Sequence, residues 1–400
     1  MNTRQAIGES KPPPVFSASF NDDTTFFSVG LEDGFRVYNA RTCDCAGGQD
    51  EMNGGIGYAE MVERTNYLAL VGGGPQPKYP QNKVIIWDNK KKSKVLGLEF
   101  RTAIQRVRLT RTHIVVVLLN SVNLYTFAPV PTKLGTFETT TNPFGLCALG
   151  KQLMVFPGRT PGHVQVVSLS TRSVSIIPAH SSPLRALTLG RDERLCATAS
   201  EKGTLLRVWQ TSNCARLIEL RRGADPAAIF CLAISPNSSF LAVTSDKSTL
   251  HIFDLPPTSS SRDASTFSSS SPQDAPNWEL LSSSPSSSSS TTISTAPNTK
   301  KYGILSTLPL MPRLVTDTYS FASTSFTIGD EPSPGPASSA PIPGVPGGKP
   351  PKGVIGWLSE DRLVVVEAGW DARWEMFVLG RDSEGRRGVG REGWRRYIEE

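Results

Sequence analysis

Residues 206–210 read Leu-Arg-Val-Trp-Gln, a short alternating stretch that ends in an aromatic residue followed by a polar one. Such alternation is typical of a β-strand, because successive side chains point to opposite faces of the sheet. Five further stretches follow this pattern, one of them in degenerate form: FRVYN at 35–39, VIIWD at 84–88, VNLYT at 122–126, VQVVS at 164–168 and LHIFD at 250–254.

The six copies recur with a nearly constant spacing. Their next-to-last residues lie 49, 38, 42, 42 and 44 residues apart. A period of about 40 to 45 residues with four strands per repeat is the signature of a WD-type propeller blade. Residues 353–379 hold further strand-like stretches and supply a seventh repeat. The sequence therefore predicts an all-β fold, a seven-bladed WD-type β-propeller with long disordered loops.

The repeated aromatic residues have a structural role in this prediction. A four-stranded blade cannot bury both of its faces alone, so neighbouring blades must stack in a closed ring. We expect the aromatic residues of the repeats to pack between blades, namely Trp87, Tyr125, Trp209 and Phe253.

Two stretches interrupt the strand pattern. Residues 256–299 contain 17 serines in 44 residues, and residues 329–353 contain eight prolines and six glycines in 25 residues. Neither composition supports a packed core or a central strand, so both are predicted to be mobile loops. Removing them and the first 14 residues leaves 317 residues, which corresponds to seven blades of about 45 residues.

These boundaries give a domain organisation. We expect a disordered N-terminus over 1–14, a propeller over 15–380 and an Arg-rich C-terminal segment over 381–400. The Ser-rich loop is assigned to blade six and the Pro/Gly-rich loop to blade seven.

Composition and motif content exclude several classes of protein. Six cysteines, none in a Cys-x-x-Cys pair, predict neither a disulfide framework nor a zinc site and indicate a reducing, cytoplasmic compartment. The longest aliphatic run, residues 114–119, is too short to span a bilayer. The sequence has no G-x-S-x-G elbow, P-loop, H-E-x-x-H or dinucleotide motif, and its four histidines are scattered. We therefore expect no enzyme activity, no metal site and no cofactor.

The stretch most informative about function is Leu-Arg-Arg-Gly at 220–223, between two predicted blades. In an extended backbone Arg221 and Arg222 point to opposite sides, so the pair enters two different spaces. Arginine makes bidentate, charge-assisted hydrogen bonds to phosphate. The alternative is a solvated pair, or ion pairs with Glu219 and Asp225.

Two similar stretches flank the arginine pair. ASEKGT at 199–204 and TSDKST at 244–249 are near copies one blade apart, and each offers a serine, a lysine and a threonine. Hydroxyl and ammonium groups donate hydrogen bonds to phosphate oxygens. The pattern therefore indicates two anion pockets, one on each side of the pair.

Long blocks of the sequence resemble the PROPPIN family, seven-bladed propellers that bind polyphosphoinositides in autophagy and vacuolar membrane traffic. The resemblance covers most of residues 15–380 and includes GGIGYAEMVERTNYLALVGGGPQPKYPQNKVIIWD, ELRRGADPAAIFCLAISPNSSFLAVTSDKSTLHIF and GWLSEDRLVVVEAGWDARWEMFVL. Many members have Phe-Arg-Arg-Gly. Leu220 in place of the Phe is similar to the branch that contains the mammalian WD-repeat-45-type proteins and the yeast homologue of the founding vacuolar member.

The resemblance implies two headgroup sites for phosphatidylinositol 3-phosphate and phosphatidylinositol 3,5-bisphosphate. The first site would use His180, Ser200, Thr204, Arg207 and Arg221, and the second would use Arg222, Ser245, Lys247, Thr249 and His251. Either histidine could equally be a structural residue hydrogen-bonded between blades, and Lys202 a solvated loop charge. The family motif often has Gly where Ser248 stands.

The resemblance also implies that the loop between the third and fourth strands of blade six contacts the bilayer. Here that loop is the Ser-rich stretch, and its apolar residues are expected to insert into the membrane: Phe267, Trp278, Leu280 and Leu281. The alternative is a disordered linker with incidental apolar residues. Phosphorylation of its serines would repel an anionic membrane.

The partners and location follow from the same resemblance. It implies binding to phosphoinositide-containing membranes and to autophagy proteins such as the phagophore lipid-transfer protein, by a monomer that binds no nucleic acid. The expected location is the cytoplasm, peripheral on vacuole, endosomal vesicle and phagophore (preautophagosomal) membranes.

Two other functions compete with lipid binding. A plain WD-repeat scaffold would bind proteins without lipid, and loss of Arg221 and Arg222 would then leave localisation unchanged. Nucleic-acid binding could use the lysines at 90–92 with Lys94 and the arginines of 381–396, but acidic residues nearly balance that C-terminal charge.

Overall fold

The computed structural model describes residues 14–257, 318–329 and 341–398. These residues form seven sheets whose strands pair antiparallel except at one edge of blade five, and their helical content is a single 3-10 turn at Pro346–Gly348. The prediction of an all-β, seven-bladed propeller is confirmed.

The first four blades follow one another along the chain. Blade one contains β1 (Ser17–Phe20), β2 (Phe26–Leu31), β3 (Gly34–Asn39) and β4 (Cys45–Gln49), and blade two contains β5 (Ile56–Met61), β6 (Tyr67–Gly72), β7 (Lys83–Asp88) and β8 (Ser93–Glu99). Blade three contains β9 (Ile104–Leu109), β10 (His113–Leu118), β11 (Ser121–Thr126) and β12 (Lys133–Glu138), and blade four contains β13 (Ala148–Leu149), β14 (Leu153–Pro157), β15 (His163–Ser168) and β16 (Val174–Pro178).

The last three blades include one departure from this simple order. Blade five contains β17 (Leu184–Leu189), β18 (Leu195–Ser200), β19 (Leu205–Gln210) and β20 (Arg216–Arg221), and blade six begins with β21 (Ile229–Ile234), β22 (Phe240–Ser245) and β23 (Thr249–Asp254). The chain then adds β24 (Thr318–Tyr319) to blade five as a fifth, parallel strand, and completes blade six with β25 (Ala322–Ser325). Blade seven contains β26 (Val354–Trp357), β27 (Arg362–Val366), β28 (Arg373–Arg381) and β29 (Arg387–Arg396).

The six sequence copies all form the third strand of a blade: β3, β7, β11, β15, β19 and β23. Trp87, Trp209 and Phe253 are buried, and Tyr125 packs partly buried against the cluster between blades two and three. The repeat is therefore the sequence signature of one strand that fixes the contact with a neighbouring blade.

The ring closes between blade seven and blade one without exchange of a whole strand. Val15 makes a single β-bridge to Gly369. The indole Nε1 of Trp374 donates a hydrogen bond of 2.8 Å to the carbonyl oxygen of Ala40. Tyr397 packs its ring against Phe27 and Tyr38 at centroid distances of 5.4 and 5.1 Å. Closure thus rests on a buried aromatic cluster.

The expected C-terminal boundary of the propeller at residue 380 is wrong. β29 pairs with β28 from Arg373 to Arg396, so the Arg-rich segment is the outer strand of blade seven. Its arginines have carboxylate partners within blade seven and on both neighbouring blades: Arg391 Nη1 lies 3.0 Å from Glu375 Oε2, Arg387 pairs with Asp254 of blade six, and Arg395 pairs with Asp44 of blade one. The inward-facing Val389 is buried among blade six and seven residues.

The Pro/Gly-rich stretch also differs from the prediction. It precedes β26, so it connects blades six and seven rather than lying within blade seven. We call residues 341–353 the cap segment. Gly74 N donates to Pro343 O at 2.8 Å and Gly347 N donates to Pro143 O at 2.8 Å, so the cap segment crosses the ring from blade two toward blade four. A Cβ on Gly57 would lie 2.6 Å from Gly344 O, which explains glycine at that point of close approach.

Ring closure gives a testable stability prediction. Replacing the buried Trp374 with Ala removes the Ala40 hydrogen bond and opens a cavity, so we expect the free energy of unfolding to fall by about 3 to 5 kcal/mol. Trp394→Ala on the adjacent strand is the matched control, because Trp394 is 50% exposed, and it should cost less than about 1 kcal/mol. Urea unfolding measures both; equal losses would contradict closure through Trp374.

Candidate functional site

The two near-copy stretches form matching turns on the same face of the ring. Each joins the second strand of a blade to the third, β18 to β19 in blade five and β22 to β23 in blade six. Gly203 N donates to Ser200 O at 3.0 Å, and Ser248 N donates to Ser245 O at 3.1 Å. Gly203 has φ +61° and Ser248 has φ +55°. Ser248 therefore adopts the left-handed turn that glycine provides in blade five.

Arg221 and Arg222 lie at the end of β20, beside the turn of blade five. Leu220 is fully buried in the cluster between blades five and six. Because neighbours on a strand alternate in direction, Arg221 lies on the opposite face, the one that carries Arg207 and Glu219 on the paired strands. Arg222 returns to the face of Leu220. The two arginines are thus divided between the two flanks of blade five.

Arg222 is a buried cation held by carbonyl groups. It is 8% exposed, its Nε donates to Gly203 O at 2.9 Å and its Nη2 donates to Asp225 O. No carboxylate of the described residues lies within ion-pair distance of it. Burial lowers the pKa of Arg222, and the more distant carboxylates of Asp246 and Asp225 offset this only in part. A buried guanidinium without a counter-charge favours an anionic ligand.

The first set of residues centres on a hydrogen-bonded histidine. His180 Nε2 lies 3.0 Å from Thr198 Oγ1, which also accepts a hydrogen bond of 3.1 Å from Trp209 Nε1. Burial and the positive charge of Arg207 lower the pKa of His180 to about 4. His180 therefore belongs to a buried series of hydrogen bonds. The series joins the segment before β17 to Thr198 of β18 and Trp209 of β19.

Arg207 belongs to the same flank but is already paired. Its Nη1 donates to Ala179 O at 2.6 Å, and its Nε lies 2.7 Å from Glu219 Oε2. Glu219 also pairs with Arg216 at 3.1 Å. The carboxylate expected as a partner of the arginine pair therefore holds Arg207 and Arg216. Thr204 and Ser200 lie at the two ends of the adjacent turn.

The second set of residues gathers on blade six. Ser245 Oγ and Thr249 Oγ1 lie 3.3 Å apart, and Lys247 between them is exposed. His251 Nδ1 lies 3.1 Å from Ser320 Oγ. Burial and the charge of Arg222 lower the pKa of His251 to about 4.

A strand outside the sequence repeat joins the two sets. β24 pairs with Leu220 and Arg221, and three residues further on β25 pairs with β23 of blade six. Ser320 lies between these two strands and is buried. The run TDTYSFASTSFT has the β-branched and aromatic residues of a strand, which is the signal that could have indicated it.

The remaining residues named in the sequence analysis lie in the turns and loops around the two sets or outside the described residues. Lys202 is exposed in the blade-five turn, as a solvated loop charge would be. A Cβ on Gly223 would meet nothing within 4 Å, so the space above it is open. The residues expected to insert into a membrane, Phe267, Trp278, Leu280 and Leu281, lie outside the described residues.

Two kinds of feature are absent from the described ranges. Within them, no helix is long and apolar enough to cross a bilayer. The same part of the chain brings no three His, Cys, Asp or Glu side chains together as a metal site.

The lowered pKa of His180 predicts a pH dependence of stability. An unfolded histidine titrates near pH 6.5, so the unfolded state binds the proton first and stability falls as pH drops from about 6.5 toward 4. At pH 5 the loss from His180 should be about 2 kcal/mol. Thermal midpoints at pH 7.5 and 5.0 should differ less in His180→Gln than in the wild type. An unchanged difference would mean that His180 is not buried as a neutral ring.

Comparison with known proteins agrees with this architecture. SVP1-like protein 2 of Emericella nidulans is 52% identical over 338 residues, which is 84% of this chain and 99% of that protein. Autophagy-related protein 18e of Arabidopsis thaliana is 37% identical over 261 residues, covering 64% of this chain and 70% of its own length. The structure of Kluyveromyces lactis Hsv2 superposes with a TM-score of 0.70 at 22% identity, covering 96% of this chain and 99% of that chain, and so shares the fold.

The family pattern extends across both candidate turns. It matches residues 15–273, which include the arginine pair and most of blade six. This match and the 52% identical relative together show the family. The chain belongs to the PROPPIN family of phosphoinositide-binding β-propellers.

Proposed function

We propose that this protein binds phosphatidylinositol 3-phosphate and phosphatidylinositol 3,5-bisphosphate through two headgroup sites, one on each flank of the Arg221–Arg222 pair. The observation that carries the proposal is the buried guanidinium of Arg222, which has carbonyl partners but no carboxylate in ion-pair distance among the described residues. A phosphate monoester offers the missing charge and accepts the remaining N–H donors.

In the second site Arg222 acts with the blade-six turn. The hydroxyls of Ser245 and Thr249 lie 3.3 Å apart and Lys247 is exposed beside them, so two neutral donors and one mobile cation can meet one phosphate. His251 contributes as a neutral ring near Arg222, since its pKa is about 4. Phosphate binding would raise that pKa.

In the first site Arg221 acts with Ser200 and Thr204 of the blade-five turn. Arg207 is held by Glu219 and by Ala179 O. Its guanidinium therefore contributes positive electrostatic potential to the site and makes no direct contact with the phosphate. His180 is hydrogen-bonded to Thr198, so its role is to hold the backbone of the site in place. This site is expected to depend mainly on Arg221.

Two modest sites on one molecule give reversible binding with a gain from avidity when both engage the same membrane. We propose that the Ser-rich loop adds a shallow anchor through Phe267, Trp278, Leu280 and Leu281. The loop leaves blade six after β23 and returns at β24, directly beside Leu220 and Arg221. An anchor on this loop would therefore be tethered beside both sites.

The biological setting follows from the family. We propose a peripheral membrane adaptor in autophagy and vacuolar traffic, which uses its remaining blades to recruit autophagy proteins such as the phagophore lipid-transfer protein. It would lie in the cytoplasm and on vacuole, endosomal vesicle and phagophore membranes. A lipid-independent scaffold remains the competing function.

Liposome flotation tests the proposal. Wild-type protein should float with vesicles that contain either phosphoinositide and stay at the bottom with phosphatidylserine alone. The Arg221→Thr, Arg222→Thr double variant should stay at the bottom with all three. Each lost charge-assisted contact contributes about 1.5 to 3 kcal/mol, so each single variant should bind roughly tenfold more weakly or worse.

Arg101→Thr is the matched control, because Arg101 is exposed outside both sets, and it should float like the wild type. Circular dichroism must show that each variant is folded. Equal flotation of wild type and double variant, or wild type that ignores all three lipids, would contradict the proposal and favour the scaffold.

A further inference from the structure

A cavity of about 640 Å³ fills the centre of the ring. Its wall is formed by the first strands of blades one and three to seven, and its lining includes residues of the cap segment. The volume lies in the range of small-molecule sites. The cavity is separate from the arginine pair, since neither Arg221 nor Arg222 lines it.

The lining carries a strong excess of positive charge. Six basic residues and a single acidic one, Asp22, contribute to the wall that the described residues form; the basic residues are Arg106, Arg108, Arg185, Arg191, Lys349 and Lys352. Behind the wall, Glu60 neutralises Arg108 at 2.7 Å, and Glu367 lies 4.0 Å from Lys352. Four cations therefore face the cavity without an ion-pair partner in the described residues.

Two of these four are held in ways that leave donors unused. Arg106 Nη2 donates to Phe144 O at 3.3 Å, while its buried Nε has no hydrogen-bond partner in the described structure. Arg185 stacks on the ring of Phe144 with 4.0 Å to the centroid, and burial lowers its pKa. Guanidinium groups that lose water without gaining an ion-pair partner are costly to desolvate, and the coulombic attraction of Glu201 and Asp246 offsets this only in part for Arg185. An anion between Arg106 and Arg185 would offset the cost for both.

Both mouths of the cavity are narrowed by the protein. The cap segment crosses one mouth, and Lys349 within it is exposed. At the opposite mouth Arg191 reaches from blade five to blade one, where its Nη2 donates to Asp23 O at 2.9 Å and Thr24 Oγ1 at 2.7 Å. It also donates to Trp357 O of blade seven at 3.1 Å. These narrowed mouths favour a small soluble ligand over a membrane lipid.

From the unpaired Arg106 and Arg185 in the walled chamber, we infer that the central cavity binds a small, soluble, multiply charged phosphate compound. Phosphate oxygens match the planar fork of arginine, and more than one phosphate is needed to satisfy cations from blades three and five together. The inference is independent of the proposed lipid sites, which lie at the outer edges of blades five and six.

Calorimetric titration of the full chain with inorganic pyrophosphate tests this inference, in the Arg221→Thr, Arg222→Thr background that removes the lipid sites. We expect saturable binding of one pyrophosphate per chain, weakened by added salt. Adding Arg106→Gln and Arg185→Gln should weaken binding at least tenfold, whereas adding Arg101→Gln should not. Absence of saturable binding, or binding that the cavity variants do not alter, would overturn the inference.

A stability measurement, a substitute variant and a flotation assay complete the test. Without ligand, Arg185→Gln should leave the thermal midpoint unchanged or raised, because it removes a partly buried charge that has no ion-pair partner among the described residues; a large fall would show a structural arginine and overturn the inference. Should the cavity double variant not fold, Lys349→Gln on the exposed cap segment replaces it, with a several-fold weaker binding expected. Flotation of the background variant on phosphoinositide liposomes in an Arg185-dependent manner would show that a lipid headgroup, not a soluble compound, occupies the cavity.

Discussion

Closure of the ring between blade seven and blade one is the constraint on which the rest of the structure depends. Each blade is a four-stranded sheet whose two faces both need cover, and only a closed ring provides it for the first and last blades. Here the contact is made by side chains, with Trp374 bonded to Ala40 and Tyr397 packed against Phe27 and Tyr38. With the ring closed, the edges of blades five and six have fixed positions, and a site can be built across them.

The candidate site exploits the alternation of side chains on one strand. Leu220 anchors β20 in the cluster between blades five and six, and this fixes which way each of the following arginines points. The pKa shifts agree with that division. The charge of Arg207 contributes to the lowered pKa of His180, and the charge of Arg222 contributes to the lowered pKa of His251. The return of the chain through β24 and β25 then ties the Ser-rich loop to both flanks.

Much of the fold could be predicted because each third strand carries the same packing role and so the same pattern. The pattern could not reveal β24, a two-residue parallel strand whose partner is distant in sequence. It also failed at residue 380, because the arginines of β29 read as solvated although Glu375 partners Arg391 inside the blade. In the site, the sequence indicated the two turns and the split pair. The partners of His180 and His251, and the pairing of Arg207 with Glu219, arise from tertiary contacts that no local motif records.

The central claim is that adjacent arginines serve two separate headgroup sites. Calorimetric titration with a soluble short-chain phosphatidylinositol 3-phosphate tests it most directly, because it counts sites. Our account predicts two sites in the wild type and one in each of the variants Arg221→Thr and Arg222→Thr. The site that remains in Arg221→Thr should be weakened by Ser245→Ala, and the site that remains in Arg222→Thr by Ser200→Ala. A single site in the wild type, or loss of the same site in both variants, would contradict it.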